Sequence, residues 1–332
     1  MARETVNQAL LNPEVYPQKP KKIELIQTQM SFIFLTGEYV YKIKKPVNLG
    51  YLDYTTLEKR HFFCRQELEL NRRLCPDAYL AVVPIVKEKG EFRIEKQGKA
   101  IEYAVKMEQL PRDRMLDVLL SRGQVTLEMV SMVAKKLADF HKKAETNKEI
   151  ATFGKLDVVH QNTDENFAQT EKYIGTSISA EGYQHIKNYT NDFIESNASL
   201  FNKRVREGRI RDCHGDLHAA HVCFADDICI YDCIEFNDRF RYSDVASEIA
   251  FLAMDLDRYQ QAGLSRHLVN TYVGLRRDEE LLKLLDFYKC YRAYVRGKVE
   301  SFKLDDPYIP EGEKARILTA AQSYFRLAES YA

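Results

Sequence analysis

The fold of this chain is indicated by one stretch, Cys213-His214-Gly215-Asp216-Leu217-His218-Ala219-Ala220-His221-Val222. An alternating apolar run that predicts a β-hairpin then leads to a second acidic segment, Asp232-Cys233-Ile234-Glu235-Phe236-Asn237-Asp238. A turn followed by a hairpin would place several histidines near two groups of carboxylates. Because imidazoles and carboxylates act as bases and as metal ligands, the two segments together predict a catalytic site.

The composition is typical of a globular protein with a large core. The 332 residues are 45% hydrophobic and 30% charged, which suits one large domain or two lobes. Lysine plus arginine and aspartate plus glutamate both number 49, so the formal net charge is zero. We therefore expect neither a nucleic acid nor a membrane as a partner.

The amino terminus and the cysteines both indicate a cytoplasmic protein. Residues 1–15 lack the apolar core of a signal peptide, and no later window reaches the length of a membrane span. The seven cysteines are odd in number, and Cys223, Cys229 and Cys233 lie in strand-like apolar runs. This pattern predicts reduced, buried thiols rather than a disulfide framework. No feature of the sequence indicates an obligate protein partner.

The first 107 residues predict a small β-rich lobe with one helix. Apolar alternation on both sides of Thr36-Gly37-Glu38 predicts a β-hairpin. Thr55 or Thr56 would cap a helix that continues to Leu74, with Glu58 in the place of a capping-box acid. The predicted strands are residues 30–35, 39–44, 80–86, 92–95 and 101–107.

The pattern changes at Glu108-Gln109-Leu110-Pro111, and we place a hinge at residues 108–112. Residues 113–332 are mostly helical in period, interrupted by the hairpin after His221. The predicted helices are residues 115–120, 125–143, 163–173, 180–196, 200–206, 242–255, 258–273, 279–302 and 311–331.

The motif His-Gly-Asp-Leu-His at residues 214–218, with an upstream helix that ends at His141, resembles the aminoglycoside phosphotransferase branch of the protein-kinase-like superfamily. The chain is also similar to an uncharacterised bacterial phosphotransferase-like family with Tyr-Lys-x-Lys-Lys-Pro and Ile-Glu-Phe-Asn segments, here residues 41–46 and 234–237. The resemblance implies a bilobal α+β fold. A nucleotide-binding lobe (1–107) and the hinge would precede a helical lobe (113–332) with the catalytic loop and acceptor site.

The resemblance implies an enzyme that transfers the γ-phosphate of ATP or GTP to a hydroxyl of a small-molecule acceptor. Asp216 would be the catalytic carboxylate, and His214 would support it within the catalytic loop. Lys42 would bind the nucleotide phosphates and pair with Glu67. Lys44 remains an alternative to Lys42, and Glu69 remains an alternative to Glu67.

Other nucleotide contacts follow from the same resemblance. Glu108 and Leu110 would line the nucleotide site from the hinge. The turn before Ser31 contains no glycine, so the close backbone wrapping of a glycine-rich loop is not predicted. The hydroxyls of Ser31 and Thr28 would substitute for that loop, or both residues are ordinary turn residues. No Gly-x-x-x-x-Gly-Lys-Ser/Thr motif is present, which excludes a P-loop ATPase.

The expected cofactor metal is Mg²⁺, and its ligands depart from the family pattern. Glu235 would take the place of the usual metal-binding aspartate, with Asp238 ranked second and Asp232 as a substitute. His221 stands where an asparagine is expected. Because Mg²⁺ prefers oxygen ligands, this histidine weakens the case for two-metal binding. A non-catalytic, nucleotide-binding pseudokinase is therefore the competing interpretation.

Two histidine-based alternatives carry less weight. A zinc site could be drawn from His214, His218, His221 and Cys223, but no Cys-x-x-Cys pair occurs. His141 could be taken for a catalytic base. On the apolar face of a helix, however, a histidine is more often a packing residue.

The acceptor is the least determined part of this prediction. A polycationic aminoglycoside requires acidic side chains, and Asp255 and Asp257 would supply them. In contrast, a basic series recurs at helical spacing over Lys289, Arg292, Arg296 and Lys303. If this series faces the site, the acceptor is anionic; otherwise the series is a solvent-exposed face with Glu300 as an ion-pair partner.

Overall fold

The computed structural model describes residues 5–306 and 309–332, so the first four residues of the amino-terminal stretch lie outside the described part. The chain divides into two compact units. The first unit comprises Met1–Val118 and Ala220–Asp238, and the second comprises Leu119–Ala219 and Arg239–Ala332. The hinge placed at 108–112 thus falls within the first unit, and the hairpin after the His-Gly-Asp motif belongs to that unit too.

Strands are concentrated in the first unit and helices in the second. The strands in the described part are β1 (Glu24–Gln27), β2 (Ser31–Leu35), β3 (Tyr39–Lys44), β4 (Tyr79–Glu88), β5 (Glu91–Ile94), β6 (Ala100–Glu108), β7 (Ile210–Asp212), β8 (Val222–Phe224), β9 (Ile228–Ile230) and β10 (Tyr242–Asp244). The α-helices there are α1 (Val6–Ala9), α2 (Leu57–Asn71), α3 (Leu116–Ser121), α4 (Leu127–Lys143), α5 (Lys148–Thr152), α6 (Leu156–Thr170), α7 (Ala180–Ser196), α8 (Ala198–Arg206), α9 (Asp238–Arg241), α10 (Val245–Arg258), α11 (Ala262–Arg276), α12 (Leu281–Phe302) and α13 (Glu311–Glu329).

An antiparallel sheet forms the body of the first unit, and its described strands run in the order β1-β2-β3-β6-β4-β5. The β2–β3 hairpin pairs Ser31 with Lys44, which confirms the predicted hairpin. Gly37 in its turn has φ +92°, a conformation that glycine adopts without a Cβ clash. A separate β8–β9 hairpin carries the chain toward Glu235.

Helix α2 buries a polar stripe. Thr56 caps it by accepting a hydrogen bond from the Lys59 N–H at 3.2 Å, so the helix begins where the sequence predicts. Its buried positions have the spacing of an apolar core stripe, yet they hold polar or weakly polar side chains, Arg60, Cys64, Glu67 and Asn71. A buried polar group is costly without a partner, so such a stripe indicates that these side chains bind partners on other elements and form part of a site.

Helix α10 is the central helix of the second unit, and it is buried from Val245 to Leu256. It packs against both α11 and α12. The sequence predicts a helix from 242, but residues 242–244 form β10 because they pair with β7. The helix begins after Asp244, whose side chain accepts from the Ala246 N–H at 2.8 Å.

Cys75 and Cys229 form a disulfide, with their Cα atoms 4.6 Å apart. The prediction of reduced thiols is therefore wrong for this pair. The remaining five cysteines are buried and unbonded to one another, as predicted. A partner 154 residues away leaves no spacing signal in the sequence. No helix in the described part combines the length and apolar character needed to cross a bilayer.

The disulfide predicts the thiol count of the purified protein. Denatured but unreduced protein should expose five thiols to a thiol reagent, rising to seven after reduction, because Cys75 and Cys229 are joined. Reduction should also lower stability by about 2–4 kcal/mol, since the bond restricts the unfolded chain. Cys290→Ala removes a buried free thiol and serves as the control: it should show four thiols before reduction and six after reduction. Seven thiols before reduction would contradict the bond.

Candidate active site

Two lysines of β3 meet one glutamate of α2. Lys42 and Lys44 are two positions apart, so their side chains leave the same face of the strand. Lys42 Nζ lies 2.9 Å from Glu67 Oε1, and Lys44 Nζ lies 2.7 Å from Glu67 Oε2. The structure therefore brings together the predicted pair, Lys42 and Glu67, and adds Lys44 to it.

Lys44 also connects Glu67 to the second acidic segment. Its ammonium group forms a further ion pair with Glu235, and the Tyr54 hydroxyl donates to Glu235 Oε1 at 2.6 Å. The Lys44 side chain is only 1% exposed, whereas that of Lys42 is 13% exposed. Sequence reasoning missed Tyr54, which lies in the loop between β3 and α2 and has no motif around it.

The lysines and carboxylates set one another's ionisation. Burial acts to lower the pKa of Lys44, but Glu235 and Glu67 outweigh it and raise that pKa well above its usual value. Burial likewise opposes the raised pKa of Lys42, which Asp232 and Glu67 bring about. For Glu67, burial acts to raise the pKa, but the two lysines lower it. Lys42, Lys44 and Glu67 are thus charged at neutral pH.

Asp232 belongs to this cluster in the structure. Its Oδ1 lies 2.5 Å from Lys42 Nζ, and its Oδ2 lies 3.6 Å from His221 Nε2. Its φ of +63° is uncommon for a non-glycine residue, and the Tyr79 hydroxyl holds the backbone by accepting from the Asp232 N–H at 3.2 Å. Asp238, which the sequence ranked higher, begins α9. Asp232 is therefore an acidic neighbour of Lys42, whereas the relative rank of Asp232 and Asp238 as metal ligands stays a prediction.

The other predicted nucleotide contacts occupy different parts of the sheet. Ser31 is buried, and within residues 5–306 and 309–332 its Oγ has no hydrogen-bond partner. Thr28 closes the preceding turn, since its Oγ1 accepts from the Ser31 N–H at 2.9 Å. Glu108 ends β6 with its N–H bonded to the Ala78 carbonyl at 2.8 Å, and Leu110 packs against an apolar cluster of the first unit.

Glu248 of α10 binds the backbone of the His-Gly-Asp loop. Glu248 Oε1 accepts from the backbone N–H groups of His214 at 2.7 Å and Gly215 at 2.8 Å. Glu248 Oε2 lies 2.7 Å from His141 Nε2, and His141 Nδ1 lies 2.7 Å from the Tyr272 hydroxyl. His141 is thus a buried core side chain, and both of its ring nitrogens are hydrogen-bonded. Gly215 has φ +88°, a backbone conformation that would be strained for a residue with a side chain.

This network keeps Glu248 ionised although it is buried. Burial acts to raise the pKa of its carboxyl group, but the hydrogen bond with His141 and the electrostatic interactions with His141 and His214 lower it to about 2. The charged oxygen in turn strengthens the two backbone hydrogen bonds.

Asp216 lies between the backbone groups bound by Glu248 and a further contact of the loop with α10, at Ala219. The Asp216 N–H donates to His214 Nδ1 at 3.3 Å, and the Ala219 N–H donates to Asp255 Oδ2 at 2.8 Å. The Asp216 side chain is 31% exposed, and its Oδ2 lies 3.6 Å from His218 Nε2. Sequence reasoning missed the role of Glu248. Its seven-residue spacing from Asp255, on one face of a buried helix, was the available signal.

The protein has a protein-kinase-like fold, as its sequence predicts. It is similar to an amicoumacin kinase solved in complex with AMP-PNP, Ca²⁺ and Ami, with a TM-score of 0.56 and 11% identity over 98% of this chain and 94% of that one. It is also similar to a choline/ethanolamine kinase family protein from Mesorhizobium loti, with a TM-score of 0.52 and 9% identity over 95% of each chain. No family model matches the chain.

Mycobacterial proteins are similar in sequence. An uncharacterised protein of Mycobacterium bovis and two of Mycobacterium tuberculosis are each 32% identical to this chain over 279 residues. The match covers 84% of this chain and 54% of each relative. The chain thus spans about half the length of these relatives.

Replacing Glu248 should change how stability depends on pH. The folded-state pKa of about 2 lies below the usual 4.5, so the carboxylate stabilises the native state above pH 4.5 and loses that effect as the pH falls toward 2. Glu248→Gln should lower stability by about 3–5 kcal/mol at pH 7, because it breaks a buried charged network. The substitution should also make stability decrease less steeply as the pH falls from 4.5 toward 2.

Urea unfolding between pH 3 and 7 measures both effects. Glu195→Gln, at an exposed glutamate of α7, is the matched control and should behave as the wild type does. Parallel pH profiles for Glu248→Gln and wild type would contradict the assigned role.

Proposed function

We propose that this chain is a phosphotransferase that moves the γ-phosphate of ATP or GTP to a hydroxyl of a small molecule. The observation that carries the proposal is Lys44, which pairs at once with Glu67 of α2 and with Glu235 of the Ile-Glu-Phe-Asn segment. A strand lysine bonded to a helix glutamate is the arrangement that positions nucleotide phosphates in kinases. The two solved proteins of similar fold are named as kinases, which supports the same class.

Lys42 and Lys44 would have different roles. Lys44 is almost fully buried and pairs with two carboxylates, so it would fix Glu67 and Glu235 in place. Lys42 is more exposed and pairs with Glu67 and Asp232 at the edge of the cluster. Lys42 would therefore bind the nucleotide phosphates, and Ser31, Glu108 and Leu110 would complete the nucleotide site.

The charges in the first unit suit a divalent cation. Two lysines, Lys42 and Lys44, face three carboxylates, those of Glu67, Asp232 and Glu235, so the cluster has one formal negative charge in excess. Oxygen ligands of this kind fit Mg²⁺. Glu235 and Asp232 would hold the ion, with His221 and Asp238 as further candidates. When bound, Mg²⁺ neutralises phosphate charge.

Asp216 would act on the acceptor. Its carboxylate would accept the proton of the acceptor hydroxyl as the hydroxyl oxygen bonds to the γ-phosphorus. The bond from the γ-phosphorus to the β–γ bridging oxygen would break, and the nucleoside diphosphate would leave with that electron pair. His214 would act through the loop, since its Nδ1 accepts the Asp216 N–H.

A non-catalytic nucleotide-binding protein is the second candidate. Three observations favour it: His221 stands where an asparagine is expected, the turn at Thr28 has no glycine, and Glu235 is already bonded to Lys44 and Tyr54. Such a protein would bind nucleotide without transferring phosphate.

Nucleotide binding distinguishes both candidates from a protein that lacks the site. Mg²⁺-ATP and Mg²⁺-GTP should each be titrated while the melting temperature is recorded; binding to the native state alone raises it. Lys42→Met should reduce the rise because it removes the phosphate-binding charge. Lys106→Met, at a strand lysine paired with Glu95, should leave it unchanged. The absence of any rise in wild type would exclude both candidates.

Phosphate transfer separates the enzyme from the pseudokinase. With radiolabelled ATP and a pool of small hydroxylated metabolites, Asp216→Asn should lower transfer by roughly 10²- to 10⁴-fold, because the proton acceptor is lost. Asp226→Asn, at an exposed aspartate of the β8–β9 turn, should transfer as wild type does. A nucleotide-induced rise in melting temperature with no Asp216-dependent transfer would establish the pseudokinase instead.

A further inference from the structure

The acids that would receive a cationic acceptor already have protein partners. Asp257 Oδ2 accepts from Lys289 Nζ at 2.8 Å and from the Tyr331 hydroxyl at 2.6 Å. Asp255 Oδ2 is engaged by the Ala219 N–H. Both carboxylates are thus committed to holding the second unit together, and they do not form an open acidic wall.

Arg292 of α12 reaches the residue before Asp216 without a carboxylate partner of its own among the described residues. Its Nη1 donates to the Gly215 carbonyl at 3.1 Å, and its Nε donates to Ser247 Oγ at 3.0 Å. Its guanidinium lies over the Phe251 ring, 4.8 Å from the centroid. Since all these partners are uncharged, the positive charge beside the loop is not neutralised by them.

Arg296 lies one turn further along α12 and is incompletely satisfied. Its Nε is buried and has no hydrogen-bond partner within the described residues. Its Nη2 is 3.6 Å from Glu300 Oε1, beyond good hydrogen-bond distance, while Lys303 donates to both oxygens of Glu300 at 2.8 and 2.9 Å. The Arg296 side chain remains 20% exposed, so a small ligand can approach it.

Arg296 lies one helical turn beyond Arg292, whose guanidinium contacts the catalytic loop at Gly215. Burial acts to lower the pKa of the Arg296 guanidinium, but Tyr324, Asp216, Asp255 and Glu300 outweigh burial and raise that pKa. In the basic series, Lys303 pairs with Glu300 and keeps a side chain that is 40% exposed, whereas the other three members are more enclosed. Lys289 and Arg292 are buried, and Arg296 is under the influence of Asp216 itself.

We propose that Arg296, supported by Arg292, binds an oxyanion group of the acceptor, so that the substrate is a small hydroxylated molecule carrying a phosphate or a carboxylate. This inference rests on the phosphotransferase proposed above. A guanidinium presents paired N–H donors that match both anions. It also offsets the repulsion between such an anion and Asp216. A cationic acceptor would instead meet two arginines and two committed aspartates.

The test uses acceptors that share one scaffold and differ in charge. Wild type with radiolabelled ATP is offered glucose, glucosamine, glucuronate and glucose 6-phosphate, together with glycerol, serinol, glycerate and glycerol 3-phosphate. At least one carboxylate or phosphate compound should be phosphorylated in preference to its neutral and cationic counterparts. Comparing the carboxylate and phosphate compounds identifies which oxyanion the site takes.

Arg296→Met should lower kcat/KM for the preferred anion by roughly 10- to 100-fold, the effect of losing a hydrogen bond between charged groups. It should leave any transfer to the neutral counterpart and the nucleotide-induced rise in melting temperature unchanged. Arg296→Lys should recover part of the loss. Lys283→Met, at an exposed lysine of the same helix, controls for the removal of a charge.

The outcomes separate this inference from the function on which it rests. Asp216-dependent transfer that favours neutral or amino compounds, or that leaves both anions unmodified, overturns the inference while the phosphotransferase stands. Equal losses toward neutral and anionic acceptors in Arg296→Met also overturn it. Absence of both nucleotide binding and transfer overturns the phosphotransferase, and the inference with it.

Discussion

Glu248 supplies the buried acceptor for the backbone N–H groups of His214 and Gly215, which lie outside helices and strands. A loop that crosses the interior leaves amides that neither water nor a neighbouring strand can satisfy. One carboxylate accepts both, and His141 keeps that carboxylate charged. Asp255, two turns further along α10, repeats the arrangement at Ala219. Two carboxylates of α10 therefore hold the loop backbone on either side of Asp216.

Buried polar side chains of one helix also organise the first unit. Helix α2 turns Glu67 and Asn71 into the core, where an ordinary helix would place leucine or valine. Glu67 gathers Lys42 and Lys44, and the Asn71 side chain accepts from the Cys233 N–H at 2.8 Å, next to Asp232. Glu67 and Asn71 each have a partner on another part of the chain. Because an unpartnered polar group would be costly to bury, these contacts fix the positions of both side chains. In each unit, taken by itself, polar residues at core positions hold the candidate functional side chains.

The sequence predicts the parts of the fold that depend on local pattern. It predicts the β2–β3 hairpin, the start of α2 at Thr56 and the bounds of α7, because alternation, capping and helical period act within a few residues. It does not predict β10, Tyr54 or the Cys75–Cys229 bond, because each depends on a partner far away in sequence. The placement of residues 220–238 in the first unit is long-range in the same way.

Because the first unit is made of two separate stretches of sequence, its parts are synthesised at different times. Its sheet and α2 are synthesised first, but Glu235 follows only after all of residues 119–219. Until then Lys42 and Lys44 share the one counter-charge of Glu67, and Cys75 lacks its disulfide partner, Cys229. A growing chain therefore holds an unfinished lobe while α4 to α8 emerge from the ribosome. Closing that lobe is a late event that requires contacts across more than one hundred residues, the kind of step that is slow in folding.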